Sequence, residues 1–312
     1  MYFLVSDQTN PYWNIAVENY LVEYADGMVL YLWKNHRTVV IGQNQNPFAE
    51  CDVEALVADG GYLMRRKTGG GAVYHDDGNI NFSFVVPKEQ YDVQRQFSVV
   101  GRALEGFGLH AELSGRNDLL VDGRKFSGNA FSKGRRNDLH HGTILIKGNM
   151  DELQRYLRPK PGKLQKHGVA SVRSRVVNLA ELNPNITPES IVPHLREAFE
   201  AEYEGRAVDL DFAELKQRPE VRERYEEFAS DEWLYGRWRS FTAQRSAQFE
   251  WGVVDVAVEV EDNMVVDLQL ASDALDTDAL ELARRVAIGS RLDLPFEPTG
   301  NPVADDILSL LF

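Results

Sequence analysis

Apolar residues recur along this chain at two spacings, every second residue or every three to four, and the switches between them mark its elements. Ile80, Phe82, Phe84 and Val86 alternate with Asn81, Ser83 and Val85, the period of a half-buried strand. Shorter extended runs are the N-terminal segment Met1 to Asp7, Met28 to Trp33, Thr38 to Ile41, and Tyr62-Leu63-Met64. Helical spacing appears at Trp13, Ala16, Val17, Tyr20, Leu21 and Tyr24, behind Asn10-Pro11 as cap and first-turn proline. It returns from Asp52 to Ala58, stopped by Gly60-Gly61, and from Phe97 to Phe107, ended by Gly106 and Gly108.

The second half of the chain alternates the same signals. Asp122-Gly123 predicts a hairpin turn between Leu119–Val121 and Lys125–Phe131. His140 to Ile146 is a strand with a polar opening. Its adjacent histidines point to opposite faces and so do not pair on a metal. Pro159 to Lys163 is a loop, and Ser171 to Val176 is an extended segment with alternating arginines. Thr187-Pro188-Glu189 caps a helix to about Tyr203, and Phe212 to Phe228 is a charged helical region. A boundary falls near Ser246. Beyond it come two antiparallel strands, Phe249–Val260 and Met264–Leu270, then helices from Asp276 to Ile288 and from Val303 to Phe312.

One stretch breaks both rhythms. Arg65-Arg66-Lys67-Thr68-Gly69-Gly70-Gly71-Ala72-Val73-Tyr74-His75-Asp76 joins two extended segments through three glycines. Glycine permits close backbone approach, so successive N–H groups can converge on an anion. Arginine adds a permanently charged fork suited to phosphate or carboxylate. Three glycines alone make a tight turn. With two arginines before them and His75-Asp76 after them, they read as an anion site. It is neither of two familiar nucleotide loops. No Gly-Lys-Ser/Thr follows Gly71, and Tyr74 stands where a dinucleotide fingerprint requires its third glycine.

Composition narrows the classes. The chain has 312 residues, is 43% hydrophobic and carries a net charge of −14, enough for a large core and the wrong sign for general affinity to nucleic acid or anionic membranes. The basic clusters at 65–67 and 133–136 oppose that global sign; the second reads as a mobile loop, either a solvated charge run or a guide for a triphosphate or an acidic partner. No apolar run is long enough to span a membrane, and the N-terminus lacks the basic region of a signal peptide. A single cysteine, Cys51, excludes an internal disulfide and suits the cytoplasm. Cys51 precedes a helix, where a thiol can be activated, but no histidine motif accompanies it. It reads as a packing residue.

The glycine stretch resembles the signature of lipoate–protein ligases, within the wider lipoyl, octanoyl and biotinyl transferase fold group. Further blocks follow in the family's order: Asn14 to Glu18, Val39 to Gly42 with Gln45-Asn46-Pro47, Ser114-Gly115-Arg116-Asn117-Asp118-Leu119, Arg124 to Gly128, His140 to Thr143, and Ser171 to Val176. Trp233-Leu234-Tyr235-Gly236-Arg237-Trp238 resembles the segment that closes the catalytic domain in such ligases. The resemblance implies an α/β (α+β) fold, a mixed, mostly antiparallel sheet flanked by helices. Residues 1–246 would form the catalytic domain and residues 247–312 a small C-terminal αβ accessory domain.

It also implies an activity. Lipoate is activated by ATP, with Mg²⁺, to lipoyl-AMP and pyrophosphate. The lipoyl group then passes to a lysine of a lipoyl carrier domain, in a 2-oxoacid dehydrogenase complex or the glycine cleavage H protein. On its own Lys125 is a surface lysine beside a turn. In similar ligases the matching lysine touches both the lipoyl carboxylate and the nucleotide phosphate, which makes Lys125 the catalytic candidate. Arg66, Gly71, Ala72, Val73 and Tyr74 are the expected nucleotide-binding set, extended by Arg65, Gly69, Gly70, His75, Asn117, Asp118 and His141. Asp118 is the candidate carboxylate for Mg²⁺. Lys67-Thr68 departs from the small polar pair usual in that loop. The runner-up readings are an octanoyl or lipoyl transferase of the same fold working without ATP, and a non-catalytic lipoate-binding protein.

Overall fold

The computed structural model describes residues 1–115, 117–158, 176–235, 243–292 and 294–312. Arg116, the 159–163 loop, the arginines at 173 and 175, and Gly236 to Trp238 lie outside them.

Eight strands form the main sheet, in the order β11-β1-β2-β6-β10-β9-β8-β7. They are β1 (Tyr2–Val5), β2 (Val29–Trp33), β6 (Asn79–Pro87), β7 (Glu112–Ser114), β8 (Asp118–Val121), β9 (Arg124–Lys133), β10 (Asn137–Leu145) and β11 (Val208–Asp209). Among the described strands of this sheet, β1 alone pairs with its neighbours in parallel, with β2 on one side and β11 on the other. A smaller sheet, β4-β3-β5, joins β3 (Thr38–Ile41) to β4 (Tyr62–Arg65) in parallel and to β5 (Val73–His75) antiparallel. The glycine loop is the connection from β4 to β5.

The main sheet is covered on both faces, which corrects the reading of β6 as half-buried. From Asn79 to Val86 every residue of this strand is buried. Ile80, Phe82, Phe84 and Val86 pack with the helices Val93–Glu105 and Ile191–Glu202 through Phe97, Val100, Leu104, Leu195 and Phe199. Val85 packs on the other face with the helix Pro11–Tyr24 and, behind it, the helix Pro219–Ala229. The alternation in β6 therefore separates an apolar layer from a layer holding Asn81 and Ser83, not core from solvent. Those buried polar positions are where the chemistry collects.

Local signals placed most boundaries. Asn10 caps its helix, accepting from the N–H groups of Tyr12 and Trp13. Asp122 and Gly123 have φ of 50° and 70°, the pair of positive values required by the hairpin turn that favours Asp-Gly. Three boundaries moved. Asp92 caps the helix that the spacing began at Phe97, its side chain accepting from the Gln94 and Arg95 N–H groups. The helix expected from Thr187 begins at Ile191, after the turn in which Thr187 and Ser190 bond one another. The region Phe212–Phe228 splits into helices Phe212–Leu215 and Pro219–Ala229, because Pro219 cannot continue a helix but starts one well.

The remaining strands, β12 (Ala243–Phe249), β13 (Gly252–Glu261) and β14 (Met264–Ser272), form a separate antiparallel sheet. Its face packs on the helices Thr277–Ala287 and Pro302–Leu308 through Val254, Val256, Leu268, Leu280, Ala283 and Ile307. The expected division at Ser246 cuts through β12, all of which pairs with β13. No described helix is long and apolar enough to cross a membrane.

Phe84 is fully buried and meets the rings of Phe82, His140 and Phe199. Phe84→Ala is expected to lower unfolding stability by about 3–5 kcal/mol, read as a lower urea midpoint with an unchanged m-value.

Candidate active site

Adjacent residues on a strand point to opposite faces, and at the end of β4 this sends two arginines in opposite directions. The Arg65 guanidinium donates to the carbonyls of Gly42, Gln43 and Gln45 and, beyond them, to those of Trp233 and Leu234, at 2.7–3.3 Å. It ties the outside of the loop to two other segments and does not line the cavity described below. Arg66 turns inward. Its Nε bonds Thr68 Oγ1 at 3.0 Å and its Nη2 bonds the carbonyls of Gly69 and Gly71 at 2.7 and 2.9 Å. Its Nη1 keeps only a 3.3 Å contact to the Val40 carbonyl. Burial pulls both guanidinium pKa values down to about 10, which leaves both charged at neutral pH.

With its carbonyls drawn back to Arg66, the loop presents Gly70 and Gly71 to a cavity of about 280 Å³. Gly70 has φ of 95°, a conformation open to glycine. A Cβ on Gly71 would meet nothing within 4 Å. A Cβ on Gly69 would collide with the carbonyl of Ala274, which lies just after β14. The Gly70 N–H donates to that same carbonyl at 3.0 Å, and Asp273 lines the cavity.

Lys125 stands across the cavity from the loop. In the β8–β9 hairpin Leu119 faces Ser127 but Leu120 faces Lys125, so Phe126 is an extra residue. Such a bulge re-aims the neighbouring side chain. The Lys125 ammonium lies 2.6 Å from Asp118 Oδ1, and its side chain is 38% exposed. It passes over Gly128, where a Cβ would come within 3.0 Å of Nζ. Asn117 and Asn129 exchange side-chain bonds to each other's carbonyls at 2.7 and 3.0 Å and hold this end of the hairpin.

Behind His141 and Trp33, which line the cavity, runs a chain of buried polar contacts. Glu18, from the helix Pro11–Tyr24, accepts from Ser83 Oγ and from His141 Nδ1 at 2.9 Å. His141 Nε2 lies 2.8 Å from Thr68 Oγ1, and Trp33 Nε1 donates to Ser83 at 2.9 Å. The Arg66–Thr68 bond extends this chain of contacts into the glycine loop. His140 points the other way, into a ring of Phe82, Phe97 and Phe131, bonded to Gln96 and Asn129.

Of the residues singled out in the sequence, Arg66, Gly70, Gly71, Ala72, Val73, His75, Asn117, Lys125 and His141 line this one cavity. Arg65, Gly69, Tyr74 and Asp118 do not. The Tyr74 side chain packs away from it and donates to Glu152. Lys67 also turns away, its Nζ over the rings of Phe228 and Trp233. The basic run 133–136 ends β9 at Lys133 and continues as the β9–β10 connection, where Arg136 pairs with Asp26. Sequence reading missed Glu18, Trp33, Asn81, Thr68 and Gly128. The signal for three of them was polar or indole character inside helix and strand patterns that are otherwise buried. Cys51 is 1% exposed in an apolar cluster, and burial pushes its thiol up to about 12, which suits packing and not nucleophilic attack.

Thr68→Val removes the hydroxyl shared by Arg66 and His141 without changing shape. Arg66 Nε keeps the Gly69 carbonyl at 3.2 Å, but His141 Nε2 loses its partner. The expected cost is about 1–3 kcal/mol, the penalty of a buried polar group left unpaired, measured by denaturant unfolding.

The comparisons with known proteins agree on one family. The lipoyl protein ligase A/B catalytic domain matches residues 10–200, and the bacterial lipoate protein ligase C-terminus matches residues 239–293. Lipoate-protein ligase A of Psychrobacter cryohalolentis is 39% identical over 90% of this chain and 86% of its own length. Among solved structures, P. falciparum LipL1 in complex with lipoate superposes with a TM-score of 0.84 at 29% identity, covering 99% of this chain and 98% of that one. Lipoate-protein ligase A bound with ATP superposes with a TM-score of 0.63 at 25% identity, covering 75% and 98%. With the catalytic-domain match over residues 10–200, the C-terminal match over 239–293 and a relative 39% identical over 90% of the sequence, the chain belongs to the lipoate–protein ligase family.

Proposed function

We propose that this cavity joins lipoate to ATP and hands the lipoyl group to a lysine of a lipoyl carrier domain. The observation that carries the reading is the meeting of Lys125, Arg66 and the glycine loop around one cavity that also has apolar walls in Ile15, Val40 and Met64. Lipoate is an amphipathic anion, and ATP is a second anion that repels it. Bringing them together requires fixed positive charge where negative charge accumulates.

In the first step a lipoate carboxylate oxygen bonds the α-phosphorus, the bond from that phosphorus to the bridging oxygen of the β-phosphate breaks, and pyrophosphate leaves. Lys125 serves here as a compact charge on a flexible stem. It exchanges Asp118 for the carboxylate and the α-phosphate. Arg66 holds the loop in shape and offers its Nη1 edge, while Gly71, Ala72 and Val73 and the Tyr74 backbone cradle the nucleotide. In the second step a carrier lysine amine attacks the acyl carbonyl, an amide forms, AMP departs and the amine proton is lost. Arg65 and Gly69 shape the loop and stay out of both steps.

Asp118 is already paired with Lys125, and the described residues contain no group of three His, Cys, Asp or Glu side chains placed to hold a metal. Mg²⁺ that arrives with ATP needs only about one or two protein carboxylates beside phosphate oxygens and water. Asp118, once Lys125 turns to the substrates, would be the residue to hold it, and the ion would offset charge on the phosphates.

We place the division between catalytic and accessory units before Ala243. The accessory unit closes the cavity, through Asp273 at its wall and the Ala274 carbonyl on Gly70 N–H. A phosphate drawn to Gly70 competes for that N–H, so filling the loop loosens the unit and opens a path for the carrier lysine. Closure shields a hydrolysable acyl-adenylate from water, and opening admits a whole carrier domain.

Two outcomes are expected. Lys125→Ala, at a partly exposed position, stays folded and lowers lipoate-dependent pyrophosphate release by about 10²–10³; near-normal release would remove Lys125 from the mechanism. A chain ending at Thr242 loses more of its adenylation rate than of its transfer rate from preformed lipoyl-AMP. Equal losses, or a loss of transfer alone, would show that the accessory unit does not serve adenylation.

A further inference from the structure

Two buried N–H donors that line the cavity have no hydrogen-bond partner among the described residues: His75 Nε2 and Asn81 Nδ2. The residues themselves are 3% and 1% exposed. Their orientation is fixed by chains of bonds that each start at the backbone. The Asp76 N–H donates to Asn79 Oδ1, and Asn79 Nδ2 therefore donates to Asn81 Oδ1 at 3.1 Å. That leaves the Asn81 amide nitrogen as the unpaired end. On the other side, Asn14 Nδ2 donates to the Lys34 carbonyl and to Asn35 Oδ1, and Asn35 Nδ2 then donates to His75 Nδ1 at 3.2 Å. Nδ1 is thus the acceptor, and the ring proton sits on Nε2.

Burial, with help from Arg66 and His141, pulls the His75 pKa down to about 3, so this donor is neutral at physiological pH. The sheet separates both donors from Lys125: Gly128, beside the Lys125 ammonium, donates to Thr143 Oγ1 on β10, Thr143 pairs with Asn81 on β6, and Asn81 pairs with Trp33 on β2. Asn81 lies opposite Trp33 in the β2–β6 register, and the Trp33 ring is 6.2 Å from the His75 ring. Lys125, partly exposed and lying over Gly128, is thus two strands, about 10 Å, away from Asn81. An acid whose carboxylate reaches Lys125 therefore points its far end at Trp33, His75 and Asn81.

We infer that His75 and Asn81 read the far end of the acyl chain and make this ligase select acids that carry hydrogen-bond acceptors there over plain alkanoates of the same length. This rests on the ligase reading above. A methyl end packed against these N–H groups leaves both donors unpaired, which is the costly state of a buried polar group. The dithiolane sulfurs are weak acceptors, but they are polarisable and lie where octanoate has only hydrogens. A ketone at the same depth is a stronger acceptor and should be taken well.

The test is pyrophosphate release from ATP with lipoate, octanoate and 7-oxooctanoate, compared by kcat/KM in the full chain, in Asn81→Leu and in His75→Phe. The expected result for the unmodified protein is that lipoate and 7-oxooctanoate each exceed octanoate by a factor on the order of 10. Each variant should narrow both ratios several-fold, with octanoate rising relative to the other two acids. A purely structural role would lower all three acids together and leave the ratios unchanged. Octanoate used as well as the other two by the unmodified chain overturns the inference even if neither variant folds, and so do ratios that neither folded variant moves. Release with none of the three acids would instead sink the ligase reading.

Discussion

Two neighbouring guanidinium groups, both buried, carry the site. Arg65 and Arg66 leave the same strand in opposite directions, and backbone carbonyls are their main partners. A buried charge without hydrogen bonds would be prohibitively costly, so each arginine requires its segment of chain to turn its carbonyls inward. Arg65 gathers the 42–45 turn and the 233–234 segment. Arg66 gathers the carbonyls of Gly69 and Gly71. Everything that faces the cavity from the loop follows from that second demand, because a peptide whose carbonyl is drawn back exposes its opposite edge.

The same logic separates what the sequence disclosed from what it withheld. Turn and cap chemistry is local, so Asp122-Gly123, Asn10-Pro11 and the strand either side of the glycines were legible from a few residues each. The glycine loop and Lys125 were legible through resemblance, and they do share one cavity. Arg65 and Arg66 were not separable, since their identity and neighbourhood are alike and only strand geometry distinguishes them. The burial of Asn81, Ser83 and Glu18 was illegible for another reason. A polar residue in an alternating strand looks solvent-facing unless a second layer is known to cover it, and the helix that covers β6 lies more than fifty residues earlier in the chain.

The polar layer behind the cavity also explains why the site needs so much of the chain. Glu18, Ser83, His141 and Thr68 come from four separate segments, yet each satisfies the others in a chain of short contacts. A network of this kind is stable only when complete. It fixes the loop to the sheet, while Ala274 meets the loop independently.

The parallel pairing of β1 has a consequence for how the protein is made. Tyr2 and Phe3 lie beside Val208 and Asp209, so β1 finds an edge partner only after about two hundred further residues have left the ribosome. At typical synthesis rates of about 5–20 residues per second, that is on the order of 10–40 s during which the outer edge of β1 is uncovered. Until then β1 can pair only with β2, and the nascent chain exposes an open strand edge, the feature most prone to mispairing with other chains. Completion of this sheet edge therefore waits on a segment made long after the strand it covers.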